Sequence, residues 1–388
     1  MSVLFHFDLN RTVLMSDAAG GRGMEDILNY LLSEVTWGTV SKEKWIISEN
    51  GELNYKRFID QQFPYIQDGQ PVPDGHGSAA AFNKTQKKFR KGLHGTFTNQ
   101  DQPGHSVRPL LMRLLSKMTM QTEVQREAAA ELATTVLEPG LLADTWKRGR
   151  HFLLPSFLHL LCKIQSDETL MKKVRIVYRT FGTDLPYVKQ ELDIMAQGKH
   201  PLFPGFELDS RLTLRAPFST FYRRGSEQND CFLTHGTLQR PDGIRSNDAQ
   251  VQTFYTALLE ETQTFKGFDN ILTALQSMVE TEPRQCVGIR DHYDYWAANG
   301  ESDDSGKILL VDNGSTKVRN IFVDDHVESN HAHIVDVRRV SDGSRVPFDE
   351  AIGSCMLRAL PYDAIMNDDY FINVIQAVLS QDRCGAKY

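Results

Sequence analysis

Three acidic side chains follow short, largely apolar runs at widely separated places in this sequence. Asp8 follows residues 3–7, and the adjacent Asp324 and Asp325 follow residues 321–323. A short apolar run bounded by polar residues indicates a buried strand, and ligands of parallel sheets bind beyond the carboxyl ends of the strands. Because Mg²⁺ prefers oxygen ligands such as carboxylates, we expect the three side chains to meet at one magnesium-bound phosphoryl site.

Two more residues supply the groups that phosphoryl transfer through a carboxylate requires. Asp8 would attack phosphorus. Thr180, which comes after the β-branched run at residues 174–178, would donate its hydroxyl to a phosphate oxygen. Lys307 would place a compact positive charge between the nucleophile and the substrate. Lys317, which lies closer to the downstream acids, is the alternative for this role.

In this order the residues resemble the four motifs of the haloacid dehalogenase-like (HAD) superfamily. The counterparts of the four motifs are, in chain order, Asp-Leu-Asn-Arg-Thr at residues 8–12, Arg179-Thr180, Gly306-Lys307 and Asp324-Asp325. The resemblance implies a Rossmann-like core of residues 1–20 and 150–388 and a mainly helical cap insertion over residues 21–149. It also implies an Mg²⁺ cofactor, a small phosphorylated metabolite as substrate and an aspartyl-phosphate formed on Asp8.

Asn10 departs from the first motif of that family, because the hydrolases have there a second aspartate that protonates the leaving group. An amide orients a leaving oxygen by hydrogen bonding, but it cannot release and regain a proton near neutral pH. The backbone carbonyl of Asn10 would still be a ligand of the magnesium ion. Two functions stay open: a phosphatase or phosphotransferase that works through Asp8, or a catalytically weak or inactive binding or regulatory protein. Dehalogenation and phosphonate cleavage are lesser alternatives on the same scaffold.

The spacing of apolar residues predicts an α/β fold, with a parallel sheet that carries helices on both faces. Within the cap, residues 108–120 and 125–137 show the helical periodicity of a packed pair. Residues 201–238 are extended in pattern and predict a possible β-rich insert over about 199–245. Further helices are predicted over residues 154–165, 184–196, 248–264, 268–280 and 370–379, and further strands over residues 286–289, 308–311 and 333–337.

Composition limits the class of partner. The 388 residues carry 43 basic and 50 acidic side chains, and the net charge of -7 argues against nucleic-acid binding. The longest apolar stretches fall short of the roughly 18 residues that span a bilayer, so we expect no membrane partner. The first predicted strand leaves no room for a secretory signal. Five scattered cysteines without paired spacing favour free thiols and a cytoplasmic location.

Three other groups of residues allow more than one interpretation. His326, His331 and His333 form a cluster that invites a transition-metal site, although hydrogen-bonded or surface histidines are the simpler interpretation. Asp291 either supplements the metal site or stabilises the fold. The basic run at residues 84–91 is either a solvated helix face or a surface that attracts an anionic substrate.

Overall fold

The computed structural model describes residues 2–15, 23–66, 69–73, 75–235, 263–312 and 318–381. The chain divides into two compact units, one of residues 15–121 and one that combines residues 1–14 with residues 122–388. The strands are, in chain order, β1 Ser2–Asp8, β2 Trp37–Ser41, β3 Lys44–Ile47, β4 Leu53–Asn54, β5 Val174–Thr180, β6 Ser219–Arg223, β7 Cys231–His235, β8 Gln263–Lys266, β9 Val287–Asp291, β10 Lys307–Val311, β11 Val318–Asp324, β12 Val327–Ser329, β13 Ala332–His333, β14 Val335–Arg339 and β15 Met356–Arg358.

The helices alternate with these strands over most of the chain. They are, in chain order, α1 Met24–Val35, α2 Tyr55–Gln62, α3 Ala79–Gly95, α4 Arg108–Lys117, α5 Glu123–Thr135, α6 Leu141–Lys147, α7 Pro155–Ser166, α8 Glu168–Lys173, α9 Leu185–Ala196, α10 Phe268–Glu280, α11 Tyr293–Ala298, α12 Phe348–Ala351, α13 Pro361–Met366 and α14 Tyr370–Gln381. The helices predicted over residues 154–165, 184–196, 268–280 and 370–379 are all present.

The larger unit is built around an eight-stranded sheet in the order β15-β11-β1-β5-β9-β6-β7-β8. The strands from β15 to β6 are parallel, and β7 and β8 continue the sheet in antiparallel pairs. Phe7 of β1 is level with Val323 of β11 and with Tyr178 of β5, so these three strands end at the same height. The structure therefore confirms a mixed α/β fold with a mostly parallel sheet and flanking helices.

Strand β1 is buried because both of its faces carry core contacts. Phe7 packs edge-on against Phe157 of α7 and Phe371 of α14, with ring centroids 5.2 and 5.7 Å apart. Leu4 belongs instead to a core cluster that includes Phe268 and Ile271 of α10. Since successive side chains of a strand point to opposite faces, this double cover explains why β1 is apolar almost throughout and why the polar Asp8 marks its end.

A second parallel pair, β10 with β14, lies outside the main sheet and begins with Lys307. The backbone N–H of Lys307 donates to the carbonyl oxygen of Ile334 at 2.7 Å. Two buried guanidinium groups from the main sheet reach the residues on either side of Lys307. Arg179 donates to the carbonyl oxygen of Ile308 at 3.1 Å, and Arg223 donates to that of Gly306 at 2.7 Å. These contacts fix Lys307 from both sides.

Two strands correct the prediction of a separate β-rich insert over residues 199–245. Strand β6 pairs in parallel with β9, and β7 pairs with β6, so both belong to the central sheet. Their alternating pattern marked them as extended but did not reveal their partner, which follows some 60 residues later in the chain. Most of the helix predicted over residues 248–264 lies outside the described residues, and residues 263 and 264 open β8.

The smaller unit combines α1 to α4 with a three-stranded antiparallel sheet in the order β3-β2-β4. The hairpin between β2 and β3 turns at Lys42 and Glu43, whose φ angles are 48° and 65°. Two-residue turns with two positive φ angles usually contain asparagine or glycine. Because this turn lacks both, residue types do not indicate a hairpin here, and the structure adds this sheet to the mainly helical unit that the sequence predicts. Helix α5, predicted as part of the cap, belongs to the larger unit.

The structure bears on two predictions made from composition, the state of the cysteines and the length of apolar segments. Cys162, Cys231, Cys286 and Cys355 are free thiols, and Cys384 lies outside the described residues. Among the described helices, none combines the length and the apolar character that crossing a membrane would require.

Candidate functional site

The carboxyl ends of two neighbouring parallel strands bring three carboxylates together. Asp8 is the last residue of β1 and Asp324 the last residue of β11, and Asp325 follows directly. One carboxylate oxygen from each of the three lies within 4.8 Å of the others. Asp8 is 6% exposed and Asp324 1% exposed, whereas Asp325 is partly buried. Acids separated by more than 300 residues in the chain thus meet because β1 and β11 are adjacent in the sheet.

Lys307 places its ammonium group between two of these acids. Its Nζ forms an ion pair with Asp8 and donates to Oδ2 of Asp324 at 2.9 Å. The side chain is buried, and its Nζ lies 5.4 and 5.7 Å from the ring centroids of Phe181 and Phe322. Lys307 therefore reaches both acids from the first residue of β10. The alternative, Lys317, lies outside the described residues.

Arg11 and Thr12, which directly follow Asn10, make further contacts with the acids that were not predicted from the sequence. The hydroxyl of Thr12 donates to Oδ2 of Asp8 at 3.5 Å and accepts the backbone N–H of Asp325 at 3.1 Å. Arg11 adopts a φ of 63°, and its Nε lies 3.4 Å from Oδ2 of Asp325. The turn that follows β1 therefore links the first acid of the cluster to the last.

Burial and like charge raise the pKa values of two acids of the cluster, Asp8 and Asp325. Loss of solvent raises the pKa of Asp8 well above its usual value; Lys307 opposes this shift, and Asp324 and Asp325 add to it. Burial likewise raises the pKa of Asp325, against the effect of Arg11. Burial alone would lower the pKa of Lys307, but Asp324 and Asp8 outweigh it and raise that pKa. The lysine therefore stays protonated at neutral pH.

The charge balance and the donor set together fit a hard divalent cation. Three carboxylates face the two positive charges of Lys307 and Arg11, which leaves an excess of one negative charge when all are ionised. All three ligand atoms are carboxylate oxygens, the type that Mg²⁺, Ca²⁺ and Mn²⁺ prefer over softer nitrogen and sulfur ligands. A cation at this place would offset the mutual repulsion of the acids. The donor set selects this class of ion but does not distinguish its members.

Asn10 and Thr180 lie beside the cluster, and both are hydrogen-bonded to a residue that the sequence reasoning missed. Nδ2 of Asn10 donates to Oδ2 of Asp184 at 3.0 Å. The hydroxyl of Thr180, the last residue of β5, donates to the same oxygen at 3.2 Å and accepts the backbone N–H of Gly182 at 2.8 Å. Thr180 thus lies at the end of β5, beside the cluster, and its only hydroxyl hydrogen is already donated to Asp184.

Of the remaining candidates, His326 adjoins the cluster, where its backbone N–H donates to Oδ1 of Asp324 at 2.9 Å. Asp291 pairs with Arg179, and His333 contacts Asp303 at 3.4 Å. Among the described residues, only the three acids above bring three metal-ligating side chains together. Four of the basic residues expected on one helix face, Lys84, Lys87, Lys88 and Lys91, line a concave surface of the smaller unit together with Asp26.

The comparisons with known proteins identified no relative of this chain. No family model, no curated protein and no solved structure matches it. Its function therefore has to be inferred from the geometry and charge of the site alone.

Proposed function

We propose that this chain is a magnesium-dependent phosphatase or phosphotransferase of the HAD-like type. Its substrate is a small phosphorylated metabolite, and the reaction proceeds through an aspartyl-phosphate on Asp8. The observation that carries the proposal is the convergence of Asp8, Asp324 and Asp325 on one point at the end of parallel strands, with Lys307 paired to two of them. A Rossmann-like core with an inserted cap is part of the same proposal.

The cation is held by carboxylates in this proposal. Asp8, Asp324 and Asp325 would be its side-chain ligands, and the backbone carbonyl of Asn10 would be a fourth. When bound, Mg²⁺ supplies positive charge that neutralises phosphate oxygens and brings the phosphorus close to an anionic nucleophile. Mg²⁺ is chosen within its class because phosphate oxygens of the substrate are its usual further ligands at phosphoryl-transfer sites.

Asp8 provides the nucleophilic oxygen. One carboxylate oxygen forms a bond to phosphorus while the bond between phosphorus and the leaving oxygen breaks. Lys307 orients Asp8 through their ion pair and, being protonated, offsets the charge that accumulates near the carboxylate. Thr12 contributes a second hydrogen bond to Asp8 and keeps Asp325 in register with it. In the second half of the reaction, water or an acceptor hydroxyl attacks phosphorus and releases the Asp8 carboxylate.

Proton transfer is the step for which these residues provide least. Asn10 does not supply a proton to the leaving oxygen. The hydroxyl of Thr180 already donates its hydrogen bond to Asp184. General acid–base assistance is typically worth about 10²–10⁴-fold in rate. Turnover is therefore expected to be slow unless the substrate has a good leaving group. The same observation favours the second candidate function, a catalytically weak or inactive protein that binds a phosphorylated ligand for a regulatory purpose.

Turnover of a panel of phosphate esters in the presence of Mg²⁺ or of EDTA tests the proposal. We expect metal-dependent release of phosphate, and a loss of at least about 10³-fold in Asp8→Asn because the nucleophile is gone. The control is Asp193→Asn, which makes the same chemical change at an acid of α9 that is 39% exposed and pairs with Lys189. Activity that survives Asp8→Asn would exclude this mechanism.

Calorimetric titration with Mg²⁺ and a non-hydrolysable phosphate ester separates the two candidates. Binding of both ligands without turnover of any ester would favour the binding or regulatory protein. Absence of Mg²⁺ binding in the wild-type protein would contradict the magnesium-dependent enzyme, and absence of phosphate-ester binding would contradict both candidates.

A further inference from the structure

The carboxylate of Asp184 joins Asn10 to Thr180. Its Oδ2 accepts from Nδ2 of Asn10 at 3.0 Å and from the hydroxyl of Thr180 at 3.2 Å. Asp184 is 3% exposed and immediately precedes α9, yet its side chain makes no capping hydrogen bond to that helix. An aspartate at this position usually caps the helix. Here the carboxylate is instead committed to two residues next to the acid cluster.

The loop between β5 and α9 is shaped around this carboxylate. A Cβ atom at Gly182 would clash with the carboxylate oxygen of Asp184. The N–H of Gly182 donates to the Thr180 hydroxyl, which directs the hydroxyl hydrogen toward Asp184. Glycine is therefore required at residue 182 by close approach. The position of the Asp184 carboxylate therefore depends on Gly182, since any larger residue there would displace it.

Asp184 also determines which way the amide of Asn10 points. An ionised carboxylate accepts hydrogen bonds and donates none, so the nitrogen of the amide must face it. Oδ1 of Asn10 is then directed away from Asp184. This atom is buried and has no hydrogen-bond partner among the described residues. A buried acceptor without a partner is costly, and a donor that arrives with a ligand would remove that cost.

We propose that Asp184 is a positioning residue that locks Asn10 with its carbonyl oxygen presented to the phosphoryl site. There Oδ1 accepts a hydrogen bond from the hydroxyl or water that attacks the aspartyl-phosphate. This inference rests on the proposed function. In the step concerned, the new O–P bond forms, the bond between phosphorus and Asp8 breaks, and the proton of the attacking oxygen passes to solvent. Asn10 orients that oxygen without taking its proton.

The pair of Asn10 and Asp184 changes what an Asn10→Asp substitution means. That substitution alone would place a second carboxylate 3.0 Å from the first, where two like charges repel. It is therefore not a clean restoration of the acid that the HAD-like hydrolases use. Exchanging the two groups, Asn10→Asp together with Asp184→Asn, keeps one acid and one amide in contact and moves the acid to the position two residues after Asp8.

Steady-state kinetics of four variants test the proposal. We expect Asp184→Asn to lower kcat about tenfold with KM within about twofold, because the amide of Asn10 loses its charged partner. Asn10→Asp alone should also lower kcat. The exchange variant should recover at least wild-type kcat, since an acid near the leaving oxygen contributes about 10²–10⁴-fold. Asp193→Asn on the same helix should change neither parameter. An unchanged kcat in Asp184→Asn, or an exchange variant no better than either single variant, would overturn the proposal.

A spectroscopic measurement tests the same contact without relying on activity. In protein labelled with ¹⁵N-asparagine, the side-chain amide signals of Asn10 are those that disappear in Asn10→Asp. We expect these signals to shift in Asp184→Asn and to stay in place in Asp193→Asn. If they stay in place in Asp184→Asn, the positioning role is wrong whatever the activity. If they shift while no phosphate ester is turned over, the contact holds but the proposed attack step is refuted together with the proposed function.

Discussion

Two buried groups of charged side chains lie near the carboxyl ends of different parallel strands of the same sheet, and they differ in charge balance. In the first, three carboxylates face Lys307 and Arg11. In the second, Arg179 of β5 pairs with Asp291 of β9: Nε donates to Oδ2 at 2.9 Å, and a second guanidinium nitrogen bonds the other carboxylate oxygen. One cation thus meets one anion in the second group, whereas the first has an excess of acid.

The hydrogen bonding of the two groups differs in the same way. The guanidinium of Arg179 also donates to the carbonyl oxygen of Ile308 and contacts Nδ1 of His6, so each of its nitrogens has a partner. Burial and the nearby Arg179 lower the pKa of His6 to about 3, and this histidine is neutral at ordinary pH. The acid cluster, in contrast, keeps carboxylate lone pairs available for a ligand.

The comparison shows that burial of charge does not by itself indicate function. A balanced and fully hydrogen-bonded pair such as Arg179 and Asp291 orders the scaffold, here by holding the first residues of β10. An unbalanced group at a strand end is unfavourable for the empty protein and becomes favourable when a cation or an anionic substrate binds. The acid cluster is therefore the candidate site, and the pair is its support.

The largest expected effect is the loss of protein stability when the pair of Arg179 and Asp291 is broken. Asp291→Ala leaves the guanidinium of Arg179 buried without its counter-ion, and we expect the free energy of unfolding to fall by about 3–5 kcal/mol. Asp8→Asn should leave that free energy unchanged or raise it slightly, because it removes one of three like charges. Urea denaturation followed by circular dichroism measures both values. A larger loss of stability in Asp8→Asn than in Asp291→Ala would reverse the assignment of the two groups.

A divalent cation should stabilise the folded protein by binding at the acid cluster and not at the pair of Arg179 and Asp291. At a free Mg²⁺ concentration of about 100 times the Kd, the folded state should gain about 2.7 kcal/mol. Thermal unfolding with and without Mg²⁺ measures this gain as a rise in Tm. We expect Asp325→Asn to reduce the rise and Asp193→Asn to retain it. A rise of equal size in Asp325→Asn would place the ion elsewhere.

The smallest expected effect concerns the hydroxyl that links the ends of the cluster. Thr12→Val removes the hydrogen bonds to Asp8 and Asp325 without a large change of volume, and we expect kcat to fall about tenfold. Thr12→Ser keeps the hydroxyl and should retain most of the activity. Phosphate release under saturating substrate measures the difference. Equal activities of the valine and serine variants would show that the hydroxyl has no part in ordering the site.

Local sequence patterns were sufficient to predict several elements of the core. Asp8 and Asp324 each follow an apolar run, and Thr180 comes shortly after the β-branched run at residues 174–178; each of the three is the last residue of a parallel strand. Strands buried on both faces are largely apolar along their length, so an acid that directly follows an apolar run marks the end of the strand at Asp8 and at Asp324. The parallel α/β class followed from the same signal. The hairpin at Lys42 and Glu43 was missed because its turn uses residues that rarely adopt positive φ.

Contacts between distant segments could not be obtained in this way. The ion pairs of Lys307 with Asp8 and Asp324, the link through Thr12 and the role of Asp184 depend on which strands are neighbours and on where loops return. Asp184 is 174 residues from Asn10, and no spacing in the chain relates the two. The sequence by itself determined that acids stand at the ends of buried strands, because burial constrains every residue of such a strand. Only the tertiary structure decided which of them meet, because strand order brings together side chains whose separation along the chain carries no information about their distance in space.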